Sequence, residues 1–271
     1  METITSLQNP KVKSAIKLAN RRERRSQELM TLEGIAELTL ALEGNLEPVQ
    51  LFFCPQLAKD TDQGLLSVVK NRGAEILFCN EAVLQKLAYR EHPDGWFLVA
   101  RQPRMTLQNL ELRLQESKEP PFLLMAEDLE KPGNLGAILR TAEGVGVHGV
   151  FSLDGRTDIY NPNVVRSSKG TLFTLPVVES TNEEVWEWIE SRGITVHAAI
   201  PEDGVSYWEK DYRGPTAFVL GAENEGLSSF WKTRAHDRVY IPMVGRVNSL
   251  NVAMSAGLLA YEVRRQRSLF L

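Results

Sequence analysis

The 271-residue sequence lacks several features that define common protein classes. It contains no run of about 18 apolar residues, so we expect no membrane-spanning helix. Its two cysteines, Cys54 and Cys79, are too far apart for a CxxC motif. This scarcity excludes a disulfide framework and favours a reducing, cytoplasmic setting. The basic residues near the amino terminus have no apolar segment behind them, so we expect no secretory signal.

Motifs typical of metal and nucleotide sites are also missing. The four histidines have no ligand-like spacing, and HExxH, Walker and GxSxG sequences are absent. Residues 144–149 match GxGxxG, but a dinucleotide fingerprint must follow a strand and open a helix. Here the glycines close a predicted helix and lead into a strand, so we interpret them as a helix stop and turn. The sequence therefore disfavours a nucleotide-dependent oxidoreductase and predicts no metal.

The net charge of −4 hides an uneven distribution. Residues 1–25 hold seven basic side chains against two acidic ones, a local net charge of +5 that leaves −9 for the remainder. The basic residues are Lys11, Lys13, Lys17, Arg21, Arg22, Arg24 and Arg25. Because a basic patch can steer a polyanion whatever the total charge of the protein, this segment is a candidate nucleic-acid contact.

A polar stretch over residues 101–121 ends in two prolines and predicts a linker with one short helix. We therefore expect a first domain over residues 1–103, a linker over 104–120 and a second domain over 121–271. Glycines concentrate after the linker, which favours tight turns and binding sites in the second domain.

Both parts alternate predicted strands with helices, which favours an α/β fold with parallel strands in each. The first part predicts a basic helix from about Pro10, strands at 29–32, 49–53, 76–79 and 96–100, and helices at 35–43, 63–71 and 81–88. The second predicts strands at 122–126, 149–153, 194–200, 216–220 and 238–241, and helices at 135–145, 185–191 and 250–267. The last helix is apolar nearly all round, so it must be covered on several sides by its own sheet or by a second subunit.

One segment, residues 127–142, is difficult to explain as an ordinary turn. It follows a predicted buried strand with a Pro-Gly turn and a helix that we expect to open at Asn134. On a helical wheel, Arg140 lies opposite the apolar stripe of that helix. A solvated surface arginine would be the ordinary interpretation of Arg140.

Two further segments follow predicted strands in the same domain. Residues 218–227 place two carboxylates between glycines after a buried strand, where α/β sheets hold their ligands. Residues 241–252 lead from a strand into the last helix, which we expect Ser249 or Asn248 to cap. Three such loops in one domain indicate a functional site.

Together these segments resemble the signature motifs of the SpoU/TrmH branch of the SPOUT RNA methyltransferases. The matches follow the family's order and are Asn134-Leu-Gly-x-x-x-Arg140-Thr-Ala, Gly221-x-Glu223-x-x-Gly226, Ile241-Pro-Met and Ser249-Leu-Asn251-Val. The intervening segment 163–177 is also similar, so the resemblance covers almost all of residues 121–271. The first part resembles more weakly, through Asn9-Pro10, the basic stretch and Glu33-Gly34, the accessory RNA-binding domain of many members.

The resemblance implies an α/β fold in which a smaller RNA-binding domain precedes a SPOUT domain with a trefoil knot and a mostly parallel sheet. It also implies methyl transfer from S-adenosyl-L-methionine to a ribose 2′-hydroxyl of structured RNA, with ribosomal RNA preferred to transfer RNA. We further expect a homodimer in the cytoplasm. The alternative is a non-catalytic RNA-binding or ribosome-associated protein on a methyltransferase scaffold.

The resemblance also assigns candidate residues. The catalytic candidates are Arg140, Asn134, Glu223, Ser249 and Asn251. The cofactor-binding candidates are Leu220, Gly221, Ile241, Met243 and Leu250. The RNA-binding candidates are Arg166 as a phosphate clamp, Lys11, Lys13, Arg21, Arg22, Arg24 and Arg25.

The role of Arg140 is left open by its chemistry. An arginine side chain has an intrinsic pKa above about 12, which makes it a poor general base. Arg140 could lose its proton in a special environment, or it could bind phosphate and orient the hydroxyl while stabilising the developing alkoxide. We favour the second role.

Overall fold

The computed structural model describes residues 3–59, 63–201 and 203–268. Its chain divides into two compact units, Met1–Arg104 with Tyr160–Thr174, and Met105–Ile159 with Leu175–Leu271. We expected residues 121–271 to stay together, but the segment Tyr160–Thr174 groups with the first unit. Close backbone packing accounts for this, because a Cβ atom at Gly44 would lie only 2.0 Å from the carbonyl oxygen of Phe173.

The first unit begins with two helices where we expected one, α1 (Pro10–Lys17) and α2 (Arg21–Gln27). The side chain of Asn20 accepts a hydrogen bond from the N–H of Arg22 and caps the second helix, which separates it from the first. The following elements are β1 (Leu29–Glu33), α3 (Ile35–Glu43), β2 (Pro48–Phe53), α4 (Gln63–Asn71), β3 (Glu75–Phe78), α5 (Glu81–Leu87) and β4 (Trp96–Arg101).

The sheet of the first unit has the strand order β1-β4-β2-β3. Strand β4 runs antiparallel to both β1 and β2, and β2 runs parallel to β3. The expectation of parallel strands is therefore wrong for most of this sheet. The reason is that β4 starts at the edge of the sheet where β2 and β3 end, since Trp96 pairs with Phe53. The connection through α5 therefore stays at that edge, and β4 runs in the opposite direction.

From residue 105 onward, the elements are α6 (Leu107–Glu116), β5 (Phe122–Glu127), α7 (Pro132–Gly144), β6 (Gly149–Leu153), α8 (Pro162–Ser167), β7 (Val177–Ser180), α9 (Asn182–Glu190), β8 (Thr195–Ala199), β9 (Val205–Ser206), β10 (Thr216–Leu220), α10 (Ser229–Arg234), β11 (Asp237–Tyr240) and α11 (Val252–Ser268). Helix α8 lies in the segment that groups with the first unit. Strands β7 and β9 were not predicted from the sequence.

Within the described residues, the second unit contains a sheet in the order β7-β6-β5-β10-β8-β11-β9, and each of its pairings is parallel. Strands β5 and β10 are neighbours at its centre, with Ala126 beside Leu220. All the strands therefore end at one edge of the sheet, where the ligand sites of open parallel sheets lie.

Two helix starts differ from the expectation. Helix α7 begins at Pro132 and not at Asn134, because proline is well suited to the first turn of a helix. Helix α11 begins at Val252, and its cap is Asn251 and neither Ser249 nor Asn248. The Oδ1 atom of Asn251 accepts hydrogen bonds from the N–H groups of residues 253 and 254, at 3.0 and 3.4 Å.

Helix α11 is covered on one side within its own unit. The buried apolar side chains of this helix are Val252, Ala256, Leu259, Ala260 and Val263. A second stripe remains open, since Met254, Leu258 and Tyr261 are 58%, 37% and 60% exposed. In the part of the chain that the structure describes, we find no helix that is both long and apolar enough to cross a membrane.

Candidate active site

Three segments at the carboxyl edge of the sheet are joined by side-chain hydrogen bonds. They follow β5, β10 and β11, the strands that precede the three segments singled out in the sequence. The Nδ2 atom of Asn134 donates to Oε1 of Glu223, and Nδ2 of Asn251 donates to Oδ1 of Asn134 over 3.1 Å. Three of the five catalytic candidates therefore form one polar network.

A cavity of about 570 Å³ lies between the loops that follow β10 and β11. Its lining includes Leu220, Gly221, Glu223, Ile241, Met243, Ser249, Leu250 and Asn251. All five residues expected to hold the cofactor thus lie on one cavity, together with three of the catalytic candidates. Ala199 and Ile200, which no sequence motif had indicated, also reach the cavity from the end of β8.

Gly221 is required by the way the loop after β10 folds back on itself. A Cβ atom at Gly221 would lie 2.2 Å from the carbonyl carbon of Gly226 and 2.3 Å from the nitrogen of Leu227. The contacting atoms are backbone, so they could not move aside without opening the loop. The structure adds a reason for this glycine beyond a close approach to a ligand.

The buried carboxylate of Glu127 holds the end of the same loop. Its Oε2 accepts a hydrogen bond from the N–H of Ser228 at 2.8 Å, and its Oε1 accepts from Oγ of Ser228 and Nδ2 of Asn182. Glu127 ties the loop after β10 to the end of β5. The signal for it was present, because a single acidic residue ends the apolar run of β5.

Arg156 links carboxylates from two of the site's loops. Its Nη2 lies 3.0 Å from Oδ2 of Asp128 and 3.7 Å from Oε2 of Glu225, and its Nη1 contacts Glu130. These carboxylates, Asp128 first, raise the pKa of Arg156 above its ordinary value. No local sequence pattern indicated this arrangement, because Arg156 lies in the connection after β6, outside the recognised motifs.

Arg140 stands apart from the cavity. It is exposed on α7, is absent from the cavity lining, and has no hydrogen-bond or ion-pair partner within the described ranges 3–59, 63–201 and 203–268. The prediction that it lies opposite the apolar stripe of its helix is confirmed, since Leu135, Ile138 and Leu139 are buried. Its position leaves the guanidinium free to meet a ligand from solvent.

The basic helices α1 and α2 differ in what their side chains can reach. Lys13, Arg22 and Arg25 are exposed. Lys11 is paired with Glu75, although both side chains remain open to solvent. Arg21, the remaining candidate on these helices besides Arg24, is partly buried.

The prediction that Arg24 binds RNA is wrong. Its side chain is buried, with 1% exposed, and its Nη1 donates to the carbonyl oxygens of Leu18 and Ala19 at 2.7 and 2.8 Å. It therefore closes the turn between α1 and α2 and is not available to RNA. Helical position alone did not distinguish it from its neighbours on α2.

Arg166, expected to act as a phosphate clamp, is exposed on α8. Helix α8 belongs to the first unit, in which it packs against β1. Arg166 lines a small cleft there with Tyr89 and residues of β1, so it is not part of the cavity described above.

An open parallel sheet with a ligand cavity at the carboxyl ends of its strands defines the second unit as an α/β ligand-binding domain. The chain belongs to the SpoU rRNA Methylase family, whose model matches residues 121–261. Residues 9–98 match a model described as the MRM3-like substrate binding domain.

Individual relatives share both parts of the chain. A 23S rRNA (uridine(2479)-2′-O)-methyltransferase from Streptomyces viridochromogenes is 31% identical over 92% of this chain and 87% of its own length. The SpoU methyltransferase AviRb of the same organism, solved with AdoMet, superposes with a TM-score of 0.87 and 28% identity over 96% of this chain and 99% of that one. A structure described as an RNA 2′-O ribose methyltransferase gives a TM-score of 0.83 and 37% identity, covering 98% of this chain and 100% of that one.

Proposed function

We propose that this protein transfers the methyl group of S-adenosyl-L-methionine to a ribose 2′-hydroxyl of RNA, with ribosomal RNA as the preferred substrate. The observation that carries the proposal is the network of Asn134, Glu223 and Asn251, which joins three motif loops of a SpoU family member beside one cavity. The relative from Streptomyces that covers both parts of the chain is named for 2′-O-methylation of 23S rRNA.

The cavity suits the cofactor in size and chemistry. Its volume of about 570 Å³ lies within the ordinary range for small-molecule sites, and it combines apolar side chains with the backbone of two irregular loops. Leu220, Ile241 and Leu250 supply apolar walls for an adenine, while Gly221 and Met243 come from the two loops that border the same cavity. When bound, S-adenosyl-L-methionine supplies an electrophilic methyl group on its sulfonium.

The RNA hydroxyl has to be positioned and activated by protein side chains. A ribose 2′-hydroxyl is a poor nucleophile until its proton is removed. Asn134 and Asn251 fix the orientation of Glu223, and Ser249 adds a hydroxyl to the cavity wall. Arg140, exposed and unpaired within the described residues, binds the RNA, orients the hydroxyl and stabilises the negative charge that develops on its oxygen.

The first unit recruits the RNA. Its match to a substrate binding domain and the exposed cations of α1 and α2, among them Lys13, Arg22 and Arg25, support this role. We assign residues 1–103 to this recruiting domain, 104–120 to the linker and 121–271 to the catalytic domain, and the family matches over residues 9–98 and 121–261 support this division. Within it, residues 160–174 of the catalytic domain pack with the first unit and the linker groups with the second. Arg166 adds a phosphate contact from the first unit.

The protein acts as a cytoplasmic homodimer with a trefoil knot in its catalytic domain. Membership in the SpoU family supports the knot and the dimer. The exposed stripe of Met254, Leu258 and Tyr261 on α11 supports the dimer further, because an apolar stripe on a surface helix is stabilised by a partner.

The function is tested by mapping 2′-O-methylation across cellular RNA in strains with and without the gene. We expect one or more ribosomal RNA positions to lose the modification in the deletion strain and to regain it with the wild-type gene. An unchanged methylation map, with binding of the purified protein to ribosomes, would instead support the non-catalytic alternative.

A further inference from the structure

Four carboxylates on the segments around Asn134 already have side-chain partners, and two of them, Glu223 and Glu225, line the cavity. Arg156 pairs with Asp128, Glu130 and Glu225, and Asn134 donates a hydrogen bond to Glu223. These four carboxylates would repel a polyanion if they were all unscreened. The single positive charge of Arg156 offsets part of that repulsion at the place where the motif segments meet.

Lys131 is the cation near Asn134 that remains uncommitted. Lys131 is exposed and lines the cavity, and within residues 3–59, 63–201 and 203–268 it has no carboxylate at ion-pair distance. Its backbone is fixed beside the site, because the carbonyl oxygen of Lys131 accepts a hydrogen bond from the N–H of Asn134 at 3.0 Å. The backbone of Lys131 is therefore fixed beside the site, whereas its side-chain ammonium group is free to meet a ligand.

The cavity has a second lysine on its opposite side. Lys232 belongs to α10, and its carbonyl oxygen accepts a hydrogen bond from Arg238 of β11 at 2.7 Å. In the sheet, β11 and β8 lie on one side of β10, whereas β5, which precedes Lys131, lies on the other. Lys131 and Lys232 therefore lie at different ends of the cavity, and Lys131 lies at the end where Glu223 is hydrogen-bonded to Asn134.

We propose that Lys131 binds the phosphodiester on the 3′ side of the methylated ribose. This inference rests on the proposed function, and it places the 2′-hydroxyl at the end of the cavity where Glu223 meets Asn134. The 2′- and 3′-carbons of a ribose are neighbours, so the 3′-phosphate accompanies the hydroxyl to that end. A lysine ammonium is a mobile point charge that suits a phosphate oxygen. Lys131 is thus an RNA-positioning residue, distinct from the cations of α1 and α2.

The test compares Lys131→Ala, Lys131→Arg and the control Lys118→Ala in the full-length protein. Lys118 is exposed in the same unit but precedes β5, so it lies at the opposite edge of the sheet from Lys131. The probe is an unmodified 23S ribosomal RNA transcript. Four quantities are measured: the Kd for S-adenosyl-L-methionine, the Kd for RNA across a salt series, and the KM for RNA and kcat.

We expect Lys131→Ala to raise the Kd and KM for RNA about tenfold, as for loss of one charge-assisted contact. The slope of log Kd against log salt should fall by roughly 0.7 to 0.9, the contribution of one phosphate. The Kd for the cofactor should stay unchanged, Lys131→Arg should keep RNA binding within threefold, and Lys118→Ala should match the wild type.

Two results would overturn the proposal. Weaker cofactor binding by Lys131→Ala would assign the lysine to the carboxylate of the cofactor, and an unchanged salt slope would show that it touches no phosphate. The proposed function fails separately, in the wild-type protein, if no methyl group is transferred. The salt series still tests Lys131 in that case, because it measures RNA binding alone.

Discussion

Asn251 and Asn134 lie 117 positions apart in the sequence and are joined by a hydrogen bond of 3.1 Å. Asn251 uses its two amide atoms for different purposes, since Oδ1 caps α11 and Nδ2 donates to Asn134. Asn134 in turn donates to Glu223. The amide of Asn251 therefore connects the start of the last helix, through Asn134, to the carboxylate of Glu223.

The two purposes of Asn251 can be separated by substitution. Asn251→Asp keeps an oxygen for the cap but loses the donor to Asn134, so we expect unchanged thermal stability and a loss of kcat of at least tenfold. Asn251→Ala loses both, so it should also cost about 1 kcal/mol of unfolding free energy. Thermal unfolding and steady-state kinetics measure the two effects. Full activity in Asn251→Asp would show that the bond to Asn134 is dispensable.

We expect Arg140 to be required for methyl transfer but not for binding of the cofactor. Because its side chain does not line the cavity, Arg140→Ala should abolish methyl transfer and leave the affinity for S-adenosyl-L-methionine within a few-fold of the wild type. Calorimetric titration and a transfer assay on the same preparation measure both. A variant that no longer binds the cofactor would show that Arg140 has been placed wrongly.

Arg24 and Arg25 are adjacent on α2 and should give opposite phenotypes. Arg24 is buried and donates hydrogen bonds to two carbonyl oxygens, so Arg24→Ala should lower the unfolding free energy by about 2 to 3 kcal/mol. Arg25 is exposed, so Arg25→Ala should weaken RNA binding and leave stability within about 0.5 kcal/mol. Urea unfolding and filter binding distinguish them. Equal stability of the two variants would contradict the structural role of Arg24.

The stability of the second unit should fall in mild acid because of His197. Burial lowers its pKa to about 4, although Asp237 lies 3.3 Å from Nδ1 and partly opposes the shift. Well above pH 6.5 the ring is neutral in both the folded and the unfolded state. As the pH falls from 6.5 towards 4, the unfolded chain takes up a proton that the folded protein does not, so the folded state loses stability.

When the pH falls from 7 to 5, the proton uptake by unfolded His197 should lower the free energy of unfolding by about 2 kcal/mol. His197→Phe keeps an aromatic ring against Tyr212 and Phe218 and cannot titrate, so it should remove that part of the pH dependence. Urea unfolding of both proteins at the two pH values provides the measurement. Identical pH dependence in the variant would mean that other groups dominate.

The open stripe of α11 should form the dimer interface. The wild-type protein should be a dimer by light scattering at micromolar concentration. Leu258→Glu places a charge in the middle of the stripe and should yield a monomer without unfolding it, since Leu258 is already 37% exposed. A monomeric wild-type protein would contradict the proposed assembly.

Much of the second unit could be predicted from local sequence patterns. Strand β5 is a continuous apolar run, and the alternation with helices led to a parallel sheet, as observed. Strand β9 escaped prediction because it has only two residues, Val205 and Ser206. The start of α11 was misplaced by a few residues because several polar residues before it could each have served as its cap.

Other features depend on contacts that a local pattern does not contain. The direction of β4 follows from its pairing with β2, and the burial of Arg24 follows from the turn that it closes. The cavity residues could be predicted because a family resemblance supplied them by position. Glu127, Arg156 and Lys131 lie outside those positions, so their roles emerged only from the hydrogen bonds, ion pairs and exposed surface of the folded chain.

The most direct test of the proposed activity is mass spectrometry of nucleosides from a 23S ribosomal RNA transcript incubated with the protein and S-adenosyl-L-methionine. We predict one 2′-O-methylated nucleoside with the wild-type protein and none with Arg140→Ala. A methyl group found on a base, or no methylated nucleoside despite tight binding of the cofactor and the RNA, would contradict the assignment of a ribose 2′-O-methyltransferase.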